Sequence, residues 1–308
     1  MDVIEGFERA RGRFSRPVVT MGNFDGVHRG HQAIIERVCR DAEQLGVEAV
    51  ALTFDPHPMA VLKAHAAPSL LMLLDDRLEA LAACGLDAAV VQKFTPDFAA
   101  VEAHDFIARF FAGALDVQQL VLGHDVNFGR DRMGSAETLV EAGAEYGFTV
   151  EVIPPVVVEG TVVHSSAVRE TIGRGDVAAA ARFLGRPYLL RGRVEHGAGR
   201  GKEIGFATAN VEPAATLVPG EGVYASRARL EGRLIDGVTS IGRTPTFDGT
   251  ETVIESHLFE QCGDLYGAPI AIEFVERLRD QEKFSGSAEL AGQIKLDVER
   301  AKTLLATD

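Results

Sequence analysis

Residues Val18 to Cys39, VVTMGNFDGVHRGHQAIIERVC, leave the chain few choices of fold. Val18, Val19 and Thr20 form a short β-prone run, Gly22 and Gly26 punctuate a turn, and Ile34, Ile35 and Val38 follow a helical period. The spacing predicts strand, glycine turn, helix. His28 and His31 fall three apart at the helix start, so both reach one patch beside the unpaired backbone N–H groups. Such a helix end attracts phosphate, and two imidazoles with flexible glycines suit a nucleotide's polyphosphate. The same pair also fits a helix cap with a polar surface, or metal ligation if further ligands converge.

The alternation continues downstream. Val47 to Phe54 reads as a strand apolar on both faces and runs into Asp55, Pro56, His57 and Pro58, whose prolines stiffen the turn and display Asp55 and His57 at its carboxyl end. Leu70 to Cys84 reads as a helix, Asp87 to Gln92 as a strand and Ala99 to Leu115 as a helix. Val117 to Leu122 then leads into GHDVNFGRDRMG, a polar loop with Asp125, Asn127 and Phe128. A helix over Ala136 to Tyr146, a strand over Thr149 to Ile153, β-prone Val156 to Val163, and short helices over Ser166 to Ile172 and Asp176 to Phe183 complete this half. From Tyr188 the texture becomes short β-prone runs with glycine-rich turns, and helical periodicity returns only over Ala288 to Leu304. The pattern predicts an α/β Rossmann-like domain with a mostly parallel sheet at 1–184, followed by a small antiparallel β-barrel with a C-terminal helix at 185–308.

A formal net charge of −14 over 308 residues argues against a general nucleic-acid or anionic-membrane surface. The expected partners are small molecules, and phosphates would need local arginines, backbone donors and a divalent cation. Cys39, Cys84 and Cys262 are odd in number and widely spaced, as reduced cysteines of a cytoplasmic protein are. Early Asp2, Glu5 and Glu8 do not suit a secretory signal, and no apolar run is long enough to span a bilayer.

Several polar groups carry candidate chemistry. Asn23 and Asp25 either organise a ligand or satisfy their own turn. Ser165, Ser166 and Arg169 combine hydroxyls, a helix start and a guanidinium against phosphate, or form a cap with a solvent arginine. In GRGKEIGFATAN, Thr208 and Asn210 are hard oxygen ligands suited to magnesium, and the glycines let backbone N–H groups approach a nucleotide; taken alone, the stretch is a weak kinase signal and reads more readily as an ordinary β-turn. Glu255 shares a strand face with Val253 and His257, where a carboxylate beside an alcohol orients it and takes its proton, or merely faces solvent. Phe247 and Phe284 suit either an aromatic ligand or the core.

Taken together, the motifs resemble those of the bacterial bifunctional riboflavin kinase and FMN adenylyltransferase family, also called FAD synthetase. The resemblance rests on GNFDGVHRGH at Gly22 to His31, TFDPHP at Thr53 to Pro58, GHDVNFG at Gly123 to Gly129 and SSAVR at Ser165 to Arg169. It continues through GRPYLLRGRV, GKEIGFATAN, GVYA, IGRTPTF, VIESH, DLYG and LRDQEKF. It implies ATP-dependent phosphorylation of riboflavin to FMN in the barrel and adenylylation of FMN to FAD, with release of pyrophosphate, in the first domain. His28 and His31 would hold ATP phosphates, assisted by Asn23, Ser165, Ser166 and Arg169. Gly22, Phe24, Asp25, Asp55, His57, Asp125 and Asn127 would line the substrates, with Phe54 and Phe128 near the flavin. In the kinase, Gly205 would approach the nucleotide, Thr208 and Asn210 would coordinate Mg2+ and phosphate, Glu255 would act on the riboflavin 5′-hydroxyl, and Arg279 would lie near the flavin or a mobile loop.

Two positions depart from the pattern. Ala207 stands where the family's PTAN motif has proline, which implies a looser or slower kinase site, and Val126 replaces a common phenylalanine. An adenylyltransferase whose barrel binds flavin or regulates without phosphorylating is the alternative reading, and a flavin-binding regulatory protein without turnover is a third.

Overall fold

Strands apolar on both faces need cover on both faces, and the first half of the chain meets that need with a parallel sheet and intervening helices. The computed structural model describes residues 1–196, 206–246, 249–260 and 262–306, so Gly205 and Phe247 lie outside the described residues. The chain divides into two compact units, one of residues 1–68 with 73–164 and the other of 69–72 with 165–308.

In the first unit, β1 (Asp2–Glu5), β2 (Val18–Met21), β3 (Ala49–Asp55), β4 (Ala88–Lys93), β5 (Gln119–Gly123) and β6 (Thr149–Ile153) form one sheet in the order β1-β4-β3-β2-β5-β6, with every pairing parallel. A hairpin of β7 (Val157–Val158) and β8 (Thr161–Val162) follows. Between the strands run α1 (Gly6–Ala10), α2 (Arg29–Leu45), α3 (Pro58–Leu62), α4 (Leu74–Ala83), α5 (Pro96–Ala99), α6 (Ala103–Phe106) with a π-helical turn over Ile107–Ala112, and α7 (Ala136–Tyr146). The core joins Val19, Leu52 and Leu120 of the sheet to Phe7, Phe106 and Phe111 from the helices. Each such side chain contributes roughly 1.5–3 kcal/mol on burial.

The helix expected over Ala99 to Leu115 is interrupted at Val101 and Glu102, because Arg130 N donates to the Val101 carbonyl at 2.7 Å and takes the acceptor a continuous helix would use. Likewise α4 starts at Leu74 rather than Leu70: Leu70 forms a parallel bridge with Thr216, and its carbonyl accepts from Leu217 N at 2.8 Å.

The second unit begins with α8 (Ser165–Gly173) and α9 (Val177–Leu184). α9 buries Val177, Ala180, Phe183 and Leu184 and packs on the barrel strands, whereas the boundary at 184/185 read from the alternation of strand and helix sets both helices with the first half. The barrel strands are β9 (Tyr188–Glu195), β10 (Ala209–Pro213), β11 (Gly222–Leu230), β12 (Arg233–Thr246), β13 (Gly249–Leu258) and β14 (Pro269–Arg279), closed in the order β10-β13-β12-β11-β14-β9, every pairing antiparallel. Sequence reading gives the segment holding β10 as a magnesium site or a β-turn and names no strand there, yet β10 is the strand that closes the barrel and removes its edges. Inside lie Leu190, Tyr224, Ile241, Ile254 and Phe274, with Ser226, Thr239 and Ser256 satisfying one another at 2.7 and 3.0 Å. α10 (Ser287–Leu305) covers one outer flank through Val298, Ala301 and Leu305 against Val223, Ala225 and Val238.

Candidate functional site

Parallel strands end at one edge of their sheet, and β2 lies between β3 and β5. The turn after β2, the Asp55 to Pro58 segment after β3 and the loop after β5 therefore leave side by side, at the end where open parallel sheets take ligands. Three motif loops, separate in sequence, become neighbours.

The turn after β2 is bent sharply: Phe24, Gly26 and Val27 have φ of 50°, 88° and 38°. Left-handed backbone is unfavourable for phenylalanine and more so for β-branched valine, so the surroundings must impose it. Phe24 and Val27 are each 1% exposed, Val27 N donates to Phe24 O at 3.0 Å, and Gln32 Nε2 donates to Val27 O at 2.8 Å.

This bend delivers His28 as the N-cap of α2, with Nδ1 accepting from His31 N at 3.3 Å. The two rings stack 3.7 Å apart at 17°, and His31 meets the Phe24 ring edge-on at 5.2 Å. Gly30 makes this possible, since a Cβ there would stand 3.1 Å from His28 Nδ1 and 3.2 Å from the Val163 carbonyl oxygen. No acidic residue occupies the first turn of α2, so the helix dipole favours an anion at this end. His31 Nδ1 is buried with no hydrogen-bond partner among the described residues. Burial, and secondarily His28, pushes the His31 pKa well below the ordinary imidazole value. A buried polar atom without a partner is uncommon and is suited to a ligand atom.

Asn23 Nδ2 lies 3.4 Å from His57 Nε2, and His57 Nδ1 in turn accepts from Met59 N at 3.1 Å to cap α3. Asp25 is buried and Asp55 half exposed. Beyond β5, Asp125 and Asn127 are exposed, and Asn127 Nδ2 donates to the Asp125 carbonyl at 2.8 Å. Phe54 and Phe128 are core residues, 8% and 6% exposed, with Phe128 packed 5.4 Å from Phe106. Gly22 tucks against the Phe24 ring, where a Cβ would come within 3.2 Å.

Sequence reading missed Arg77. Its guanidinium is buried, 5% exposed, and donates from Nη1 to the Asn23 carbonyl at 2.9 Å and from Nη2 to the Phe54 carbonyl at 3.0 Å. A signal was available: Arg77 falls on the same helix stripe as Leu74 and Leu81, an arginine at an apolar position.

Ser165, Ser166 and Arg169 belong to the second unit, at the start of α8. Ser165 is half buried and Ser166 exposed, and Arg169 Nε donates to the Ser69 carbonyl at 2.8 Å.

On the barrel, directly opposed residues of antiparallel strands point to the same face. Asn210 of β10 opposes Glu195 of β9 and Glu255 of β13, and Glu255 also opposes Ser240 of β12. Ile254 and Ser256 on either side are buried in the barrel, so this row of oxygens faces outward. Thr208 lies two residues before Asn210, in phase with it. His257, in phase with Glu255, places Nδ1 2.9 Å from the Ala207 carbonyl and so ties the ATAN segment to β13. Gln281 Nε2 donates to Ser240 Oγ at 2.8 Å and to the Ile241 carbonyl at 2.9 Å. Arg279 turns toward α10, with Nη2 2.9 Å from Asp297 Oδ2, and its guanidinium lies 5.6 Å from the Phe284 ring centroid.

A helix start prepared for phosphate at the edge of a parallel sheet, joined in one chain to a closed barrel with an outward row of carboxylate and amide oxygens, defines a two-unit group-transfer protein. The FAD synthetase family model matches residues 12–167 and the riboflavin kinase family model matches residues 184–305. The chain belongs to the bifunctional riboflavin kinase/FMN adenylyltransferase family. Among its relatives, the bifunctional riboflavin kinase/FMN adenylyltransferase of Haemophilus influenzae is 35% identical, covering 98% of each chain. That of Bacillus subtilis is 36% identical over 93% of this chain and 92% of its own. A crystal structure described as a macrolide-efflux protein from Streptococcus pneumoniae superposes with a TM-score of 0.89 at 30% identity, covering 98% of this chain and 99% of that one. Among the described residues no helix is long and apolar enough to cross a membrane.

Proposed function

We propose that the chain converts riboflavin to FMN and FMN to FAD, each step consuming ATP, with residues 185–308 carrying the kinase and 1–184 the adenylyltransferase. In the second step an FMN phosphate oxygen attacks the α-phosphorus of ATP, the bond to the bridging oxygen breaks, and pyrophosphate leaves. The stacked His28 and His31 at the start of α2 are the observation that carries this reading. With its pKa pushed down, His31 is neutral at pH 7 in the free protein and acts as a hydrogen-bonding group, while the backbone N–H groups of α2 receive negative charge. Asn23, Asp55, His57, Asp125 and Asn127, at the same sheet edge, orient the substrates; the part given to Ser165, Ser166 and Arg169 at the phosphates rests on the motif alone. Phe54 and Phe128 act from the core, as the wall behind these loops.

In the first step the riboflavin 5′-hydroxyl attacks the γ-phosphorus, Glu255 accepts the hydroxyl proton, and ADP leaves. The supporting observation is the register that sets Glu255 directly opposite Asn210. Thr208 and Asn210 fit Mg2+, a hard cation that keeps several waters and takes few protein oxygens beside substrate phosphates. When bound, the ion neutralises phosphate charge. The hydrogen bond between His257 and the Ala207 carbonyl restrains the segment that proline stiffens in the family pattern. Reduced cysteines favour the cytoplasm.

A time course with riboflavin as the sole flavin, ATP and Mg2+ tests both steps. FMN should appear first and FAD after it. FAD formed only from added FMN would leave an adenylyltransferase with a non-phosphorylating barrel; binding without ADP or pyrophosphate release would exclude both activities.

A further inference from the structure

Arg77 stands out among the buried groups that the reaction scheme leaves unused. It projects from α4 to where the turn after β2 meets the carboxyl end of β3. One hydrogen bond goes to the carbonyl of Asn23, in the turn that delivers His28; the other goes to the carbonyl of Phe54, beside Asp55 and His57. A single guanidinium spans them both.

The chemistry is unusual for a structural tie. Burying a cation costs several kcal/mol unless it is closely paired, and here both hydrogen-bond acceptors are neutral carbonyls. The nearest carboxylate oxygen is Asp55 Oδ1 at 3.7 Å, on a side chain 49% exposed. Arg77 Nε is buried and has no acceptor among the described residues. Burial lowers the Arg77 pKa, and Asp55 and then Asp25 counter it, so these two carboxylates set its electrostatic surroundings. A neutral amide or an apolar contact would join two loops at smaller cost. What only an arginine supplies is a planar fork that fixes two carbonyls at one separation together with a full positive charge beneath the loops.

We infer that Arg77 is a positioning residue of adenylyl transfer, clasping the Asn23 and Phe54 carbonyls so that His28 with His31 and Asp55 with His57 are held at one fixed separation around the ATP phosphates. Its charge additionally favours polyphosphate in a chain whose net charge is −14. The inference rests on the adenylyl-transfer reading of the first unit.

The test compares Arg77→Lys and Arg77→Met with wild type in the full-length protein, measuring FAD formation from FMN and FMN formation from riboflavin on the same preparations. Lysine keeps the charge but cannot bridge both carbonyls in the same geometry, so the kcat for FAD should fall about tenfold with the KM for ATP within about threefold of wild type. Methionine should lower kcat similarly and also raise the KM for ATP, while riboflavin phosphorylation is unchanged in both variants. A wild-type kcat in Arg77→Lys overturns the inference, as does a loss of FAD formation that only tracks the unfolded fraction measured by thermal melting. If Arg77→Met does not fold, Arg77→Lys decides. A wild-type enzyme that makes no FAD from FMN overturns the functional reading itself, whereas an active wild type with unimpaired variants overturns only the role of Arg77.

Discussion

Replacing Gly30 by alanine should separate stability from catalysis in the first unit. A Cβ at this position meets His28 Nδ1 at 3.1 Å, His28 Cε1 at 3.2 Å and the Val163 carbonyl oxygen at 3.2 Å, against an ordinary lower limit near 3.4 Å. The neighbours must yield by about 0.3 Å, and the imidazole yields more readily than the backbone carbonyl or the helix. Overpacking of this size costs about 1–2 kcal/mol, while alanine in place of glycine in α2 returns up to about 1 kcal/mol of helix propensity. Net stability should therefore fall by no more than about 2 kcal/mol. The His28 ring, however, carries the stacked His31 ring with it. A 1 Å displacement of a reacting group costs about a hundredfold, so a third of that should lower the kcat for FAD about fivefold. The assay resolves riboflavin, FMN and FAD chromatographically, with riboflavin phosphorylation as the internal control and urea denaturation for stability. Unchanged FAD formation would refute the claim that Gly30 exists to seat His28; an equal fall in both activities would show a general folding defect instead.

His31 should make the first unit sensitive to mild acid. Its pKa is held below 6.5 by burial and then by His28, so as pH falls below about 6.5 the unfolded chain binds a proton that the folded one does not, and stability declines; the melting temperature should fall less between pH 7.5 and 5.5 in His31→Gln, and parallel profiles would contradict the assignment. Glu255→Gln removes the proton acceptor while keeping its shape, so riboflavin phosphorylation should drop about 10²- to 10⁴-fold with FAD formation from FMN intact, and undiminished kinase turnover removes Glu255 as the base. Asp297→Ala strands Arg279, whose side chain is 15% exposed, and should destabilise the second unit by about 3–5 kcal/mol in urea denaturation; a loss under about 1 kcal/mol would mean the pair is not structural.

Local patterning was enough for much of the architecture. The helix over Ala136 to Tyr146 and the strand over Thr149 to Ile153 match the structure residue for residue, because residues that act locally set such bounds: Ser135 and Gly147 cap the helix. Strand β10 was not legible, since ATAN and its flanking residues lack a β-prone run; it is a strand because β9 and β13 offer it hydrogen bonds on both sides. The core positions of Phe54 and Phe128 were equally hidden, as a phenylalanine beside a polar loop suits a ligand wall and a core alike. His257 lies within the VIESH motif, but its hydrogen bond with the Ala207 carbonyl spans 50 residues.

The sequence by itself determined the alternation of strand and helix, the change of texture from Tyr188, and the residue types that phosphate, magnesium and proton transfer require, because periodicity and motif spacing are properties of neighbouring residues. Tertiary structure alone decided which loops meet: β2 pairs with β3 and β5, and only that order gathers the Asn23, Asp55 and Asp125 loops at one edge. It also decided that Arg77, 54 residues from Asn23, would clasp the Asn23 carbonyl. Helix periodicity sets which face of α4 bears Arg77, but a hydrogen bond at that separation depends on where two other strands end, and no local pattern records that.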